Sequence, residues 1–241
     1  TMAHRVAARV TTYGTHKGAQ VLTARPTFYK EDGRVVGMQS EVTTPGGEGR
    51  LLVRGSVGAT QIAPVAAALA TALAFNVSLE DALRGLEAYS PPPGRGRILR
   101  GKNGSTIIDD SYNSSPAAAE EALKTLKAFP GAKRRIAVLG DMLELGRYSA
   151  SEHERIGDIA RQAADVVAGV GVRARGIGGA YSYDDAVTAA KALVELVQPG
   201  DVVLIKGSQS VRMERIVEAL LESLEDLPKL PRQEKEWKRH A

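Results

Sequence analysis

Apolar and polar positions alternate through the first part of the chain. The runs Arg9–Tyr13, Ala19–Tyr29, Val35–Thr43 and Arg50–Arg54 predict β-strands. Asp32-Gly33 and Gly46-Gly47 fall between them as hairpin turns. From Thr60 the apolar period lengthens to that of a helix. One helix is predicted over Thr60–Phe75, with Ile62, Val65, Leu69 and Leu73 on one face, and a second over Ser78–Ala88. Ser78 is a natural N-cap, and Glu80 and Asp81 complement the positive end of that helix. Ser90-Pro91-Pro92-Pro93-Gly94 then stops every pattern, because three prolines donate no backbone hydrogen bond and hold an extended strut. The domain boundary is placed there.

Beyond the prolines, strands and helices alternate. Strand Ser105–Asp109 leads to helix Pro116–Ala128, and strand Arg135–Leu139 to helix Ser151–Ala164. Strand Val166–Val170 precedes helix Tyr183–Val197, and strand Val202–Ile205 precedes helix Ser210–Leu224. Such alternation predicts a parallel sheet covered by helices. Ile136–Leu139 and Val202–Ile205 are apolar on both faces, as buried parallel strands require. The segment from Pro228 to Ala241 mixes both charges with few apolar residues and is expected to be a solvated end.

Composition narrows the function classes. The chain has 241 residues, of which 43% are hydrophobic and 25% charged, the balance of a globular protein with a core. Cysteine is absent, which excludes disulfides, thiol catalysis and Cys-ligated zinc. The net charge of +4 arises from 32 basic against 28 acidic residues, too small an excess for a nucleic-acid-binding surface. Gly55–Leu79 carries no charge, but its Thr60, Gln61, Pro64, Thr71 and Asn76, with alanine dominating the rest, predict a close-packed helix rather than a membrane span.

Three polar clusters follow predicted strands. Asp109-Asp110-Ser111-Tyr112-Asn113-Ser114-Ser115-Pro116 places two carboxylates at a strand end, with Ser115 as N-cap and Pro116 at the first helical position. A plain strand-to-helix loop explains it equally well; paired carboxylates at the end of a parallel strand also suit a ribose diol or a metal-bound phosphate. Lys206-Gly207-Ser208-Gln209-Ser210 repeats the construction and would cradle an anion, although a capped helix with a solvated lysine has the same pattern. Leu139–Gly146 is the third. Downstream of it, Ser151 and Glu154 read as a capping box around His153, which is either a base or a surface residue of a first helical turn. Their shared position at one end of one sheet argues for a cleft.

Two near-matches are set aside. Gly96–Asn103 approaches a Walker A loop but follows prolines, lacks the final Ser or Thr, and reads as a hairpin through Asn103-Gly104. Gly169–Ala174 fits GxGxxA, but Arg175-Gly176-Ile177-Gly178-Gly179 cannot continue as the required helix.

Pro93-Gly94-Arg95, Asp109–Pro116, Leu139–Gly146 and Lys206–Glu214 resemble, in this order, motifs of the Mur ligases. The Tyr112-Asn113 pair favours the member that attaches D-alanyl-D-alanine. The resemblance implies an α/β fold: a Rossmann-like C-terminal domain over 94–227, with a mostly parallel sheet and helices on both faces. Before it, 1–93 would be the β-rich and helical closing half of a central ATPase domain truncated ahead of its ATP loop. A charged tail, 228–241, would follow.

The resemblance further implies an ATP-dependent amide ligase of peptidoglycan synthesis, a cytoplasmic monomer with no nucleic-acid partner. Its partners would be UDP-N-acetylmuramoyl-tripeptide and D-Ala-D-Ala, its cofactors ATP and Mg2+. Carried over by position, Arg95 (or Arg97, in the repeated Gly-Arg) contacts the nucleotide, Asp110 the ribose hydroxyls, and Tyr112 and Asn113 the adenine side. Lys206 and Ser208 would bind the incoming dipeptide, and Asp109, Asp141, Glu144 and His153 would line the cleft. No catalytic or metal-ligating residue is assigned, since the Gly-rich ATP loop, the magnesium-binding glutamate and the modified lysine are expected upstream of Thr1. On this reading the chain is the C-terminal portion of a longer ligase and does not ligate alone. Thr60 and Pro64 stand where the family usually has His and Asn, and Ser114-Ser115 replaces the usual Ala-Asn. Two other readings remain open: an amide ligase of folylpolyglutamate or cyanophycin type, and a non-catalytic nucleotide-binding module.

Overall fold

A computed structural model describes residues 10–234 and 236–237. It divides into two units, one of residues up to 54 together with 59–90, the other of 55–58 together with everything from 91 onward.

In the first unit the strands are β1 (Tyr13–Gly14), β2 (Val21–Thr23), β3 (Thr27–Glu31), β4 (Arg34–Thr44) and β5 (Gly47–Arg54). The long β4 is the spine, pairing antiparallel with β2, β3 and β5. Alternation gives it a buried row of Met38, Ser40, Val42 and Thr44. Helix α1 (Ile62–Ala74) buries Ile62, Val65, Ala66, Leu69 and Ala70, while Leu73 is only half-buried. Pro64 sits in its first turn, where the missing N–H is no loss. In α2 (Leu79–Leu86) Ser78 caps the Asp81 amide, as its sequence predicts.

Some expected boundaries move. The Ala19–Tyr29 run is two strands, broken at Arg25-Pro26, because proline cannot sustain the ladder. The β4–β5 turn is Pro45-Gly46, with Thr44 paired to Gly47, and not Gly46-Gly47. Arg9 lies outside the described residues.

The second unit carries β6 (Arg97–Gly101), β7 (Ser105–Asp110), β8 (Arg134–Gly140), β9 (Val166–Val170), β10 (Tyr181–Tyr183) and β11 (Asp201–Lys206). Their order across the sheet is β10-β9-β8-β11-β7-β6, parallel throughout except for β6, which forms an antiparallel hairpin with β7. The helices are α3 (Pro116–Ala128), α4 (Ser149–Ala163), α5 (Ala186–Leu196) and α6 (Glu214–Leu220). One sheet face packs Ile107, Ile136, Val138, Val203 and Ile205 against α5 and α6. The alternate residues, Ile108, Ala137, Leu139 and Leu204, are equally buried on the other face, which α3 and α4 cover. Full burial of each large side chain contributes about 1.5–3 kcal/mol. Residues 55–58 run along the outer edge of β6 through a Ser56–Arg97 bridge.

Three expectations in this unit are corrected. Helix α4 starts at Ser149, continuing a tight turn over Gly146–Tyr148, so Ser151 is inside it and bonds back to the Tyr148 carbonyl instead of forming a capping box. The Ser210–Leu224 helix is shortened to α6 because Arg212 adopts a left-handed φ of 60°. The segment after Pro228 is not a solvated end as far as Gln233: Leu230, Pro231 and Arg232 are buried. Among the described residues no helix is long and apolar enough to cross a membrane.

Gly157 brings α4 against the turn at Ile177, where an added Cβ would overlap the Ile177 backbone. The Gly157→Ala variant is expected to lose about 1–3 kcal/mol of stability, read from the midpoint of urea unfolding.

Candidate functional site

The parallel strands send their carboxyl ends to one rim, and β11 lies between β7 and β8. Lys206 at the end of β11 is therefore in register with Asp110 on one side and Leu139 on the other. The sheet thus gathers at one rim the loops that carry Asp109–Pro116, Leu139–Gly146 and Lys206–Glu214.

Asp110 is held from two sides. One carboxylate oxygen accepts from the Gly96 amide at 3.1 Å, and the other from Lys206 Nζ at 2.7 Å. Lys206 also donates to the Asn113 carbonyl at 2.9 Å and is 3% exposed. The lysine expected to receive an incoming carboxylate is thus turned into the protein, where it braces two strand ends. Ser208 is likewise buried; its hydroxyl accepts from the Leu143 amide at 2.9 Å, and its own amide donates to the Asp141 carbonyl.

The other expected cleft residues divide. The Asp141 carboxylate accepts from the Ala174 amide at 2.7 Å and lies 3.7 Å from Arg173, pinning the loop after β9. The Gly171 φ of 107° lets that loop pass close to it. This contact also explains why Gly169–Ala174 is no dinucleotide loop. His153 is fully buried and lines no cleft: its Nε2 accepts from the Met142 amide at 2.9 Å, and its Nδ1 faces the Ser149 carbonyl at 2.7 Å. Those two bonds require the neutral ring with its proton on Nδ1. Glu144 is exposed, with a left-handed φ of 62°.

Asp109 is also fully buried, which removes it from the cleft. Burial pushes its carboxyl up to about 6, with the nearby charges of Asp110 and Glu214 adding to the rise and hydrogen bonding from Ser111 opposing it. One oxygen accepts from the Ser111 amide at 3.1 Å; the other has no hydrogen-bond partner.

The open part of the site is built around Tyr112, whose ring is 39% exposed. Its amide donates to the Gly94 carbonyl at 3.2 Å, and Gly94, with φ of 68°, has no room for a Cβ beside it. The Arg95 guanidinium lies 4.4 Å from the ring centroid, and the Arg95 carbonyl accepts from Ser56 Oγ at 2.6 Å. Arg97 is a residue of β6 and reaches the Pro91 carbonyl, so Arg95 is the member of the repeat that meets Tyr112. A cleft of about 710 Å³ opens here, lined by Pro92, Pro93, Arg95 and Tyr112 and closed by residues 228–234.

A planar base can stack on an aromatic ring or on a guanidinium that lies over it, as Arg95 lies over Tyr112. Among the described residues no group of three or more His, Cys, Asp or Glu side chains able to hold a metal occurs. Sequence reasoning missed the wall formed by Leu230, Pro231 and Arg232, as well as the ion pairs of Glu214 with Arg212 and Arg232. The only signals were two isolated apolar residues, Leu227 and Leu230, in a charged stretch.

Residues 94–209 match the family described as "Mur ligase, glutamate ligase domain". The UDP-N-acetylmuramoyl-tripeptide–D-alanyl-D-alanine ligase of Bacillus subtilis is 31% identical over 168 residues, covering 65% of this chain and 37% of its own. That of Escherichia coli is 32% identical over 173 residues, covering 69% and 38%. Residues 94–209 belong to the Mur ligase family. The crystal structure of the MurF ligase from Thermotoga maritima in complex with ADP superposes with a TM-score of 0.72 at 28% identity, covering 84% of this chain and 46% of that one. The chain thus spans well under half the length of these relatives.

Two outcomes test this Mur ligase rim. The folded Asp109 carboxyl holds its proton more tightly than the unfolded one, so its contribution to stability is complete below the ordinary carboxyl value of 3.8 and is lost as pH rises through about 6. Urea midpoints are expected to fall across that window, by up to about 3 kcal/mol, and the slope is expected to be absent in Asp109→Asn. Lys206→Met, which strands the Asp110 charge, is expected to cost about 2 kcal/mol, with part restored by adding Asp110→Asn.

Proposed function

We propose that this chain supplies the C-terminal domain, and the closing part of the central domain, of an ATP-dependent ligase that joins D-alanyl-D-alanine to UDP-N-acetylmuramoyl-tripeptide in the cytoplasm. The reading is supported by the named activity of relatives at 31% and 32% identity and by the ADP complex of a structural neighbour. The observation that carries it is the partly exposed Tyr112 with the Arg95 guanidinium over its ring, two residues beyond the strand end that holds Asp110.

In such a reaction the peptide carboxylate attacks the terminal phosphorus of ATP, giving an acyl phosphate and ADP. The amine of the dipeptide then attacks the acyl carbon, a C–N bond forms, and phosphate leaves with the C–O electron pair. Magnesium bound with the nucleotide phosphates would supply charge neutralisation for the phosphoryl transfer, and no residue of this chain is assigned to hold it. This chain's share is binding and orientation. Tyr112 and the Arg95 guanidinium over its ring together offer the base a stacking platform that carries positive charge. Both Asp110 oxygens are already bonded on one side, but each retains acceptor capacity for a ribose hydroxyl. Lys206 holds that carboxylate in place; it acts on the nucleotide through Asp110. Fixing the base and ribose turns a bimolecular encounter into an oriented one.

Calorimetric titration with MgADP tests the nucleotide part. The chain is expected to bind, and Tyr112→Ala to weaken binding about tenfold or more, the loss of a stacking contact worth roughly 1–3 kcal/mol. Equal affinity in Tyr112→Ala would remove the base from this cleft. In a companion assay, this chain alone is expected to release no phosphate from ATP in the presence of the tripeptide substrate and D-Ala-D-Ala.

A further inference from the structure

We infer that Arg232 is a positioning residue for the loop carrying Tyr112, and that the segment from Leu230 to Gln233 is thereby a working wall of the nucleotide cleft. The ligand in this inference rests on the nucleotide reading above; the positioning rests on geometry alone.

Arg232 reaches back 120 residues along the chain to donate to the Tyr112 carbonyl at 2.8 Å. Its other terminal nitrogen donates to Glu214 at 2.8 Å, and the two side chains are 3% and 2% exposed. Glu214 is completed by Arg212, whose Nε lies 2.5 Å from its second oxygen. The Arg232 guanidinium also lies 5.4 Å from the Tyr112 ring centroid and 5.9 Å from that of Trp237. Pro231 packs against Gly94, on which the Tyr112 amide is hung. The loop is thus gripped at its N–H by Gly94 and at its C=O by Arg232.

Glu214 is shared between Arg212 and Arg232, one carboxylate to two guanidiniums, and the Tyr112 carbonyl is the further acceptor of Arg232. What that further bond adds is a fixed carbonyl, and hence a fixed direction for the Tyr112 side chain. The chain accepts unfavourable features to keep it. Arg232 has a left-handed φ of 58°, and its Nε is buried without a partner. A planar guanidinium can reach two acceptors in different directions at once, which a lysine ammonium on a single stem does less well.

The test compares the wild-type chain with Arg232→Ala and Arg232→Lys by amide hydrogen exchange and by MgADP titration. Lysine retains the pair with Glu214 and so keeps the fold if alanine does not. Exchange at residues 110–115 is expected to rise about tenfold in both variants while α3 and β11 stay protected, and MgADP affinity to fall about fivefold or more. Unchanged exchange at 110–115 overturns the inference, as does a rise spread equally over α3 and β11, which marks a merely structural anchor. A loosened loop with unchanged MgADP affinity overturns the claim that this wall serves the nucleotide. If the wild type binds no MgADP, the nucleotide reading falls, while the exchange pattern still decides whether Arg232 positions the loop.

Discussion

A parallel sheet ends all its strands at one rim, and the backbone groups leaving that rim must find partners outside the ladder. This constraint organises the second unit. Because β11 is inserted between β7 and β8, its loop can bond to both neighbours. Ser208 takes the Leu143 amide and gives its own to Asp141; His153 takes the Met142 amide; Asp141 takes the Ala174 amide. Side chains that look chemical in the sequence are therefore largely the frame on which the open residues stand.

Much of the architecture was legible. Continuous apolar runs at Ile136–Leu139 and Val202–Ile205 reported strands buried on both faces, and the hairpin at Asn103-Gly104 followed from its turn residues. Ser78 and Ser115 were readable for a similar reason, since the side chain of each caps an amide three residues further along its own helix. Boundaries failed where the deciding contact was local but subtle: one proline at position 26, one left-handed arginine at 212, and a tight turn that feeds α4 two residues early.

The site was legible as a place and less so as a set of roles. A motif specifies a residue type, whereas orientation is set by register across the sheet. Lys206 illustrates this. In its own segment it reads as a cation beside a helix start, free to meet an anion. Opposite it, one strand away and 96 residues earlier, stands Asp110, and the register leaves the lysine no nearer acceptor than that carboxylate. The charge that faces the cleft is instead Arg95, which sits on a loop and borders the open volume.

The C-terminal segment shows the same limit more sharply. Its composition is that of a solvated end, and no period or motif separates Arg232 from the charges around it. Arg232 is held by two acceptors, Glu214 at the first turn of α6 and the Tyr112 carbonyl, and Pro92 and Pro93 line the same cleft. Each half of that arrangement is unremarkable by itself. Prolines at 92 and 93 hold one side stiff because they have little conformational freedom to lose, and the buried ion pair holds the other because separating it would strand two charges. An aromatic ring in a cleft lined by both meets a ligand with its orientation already set, so less binding energy is spent on ordering the loop.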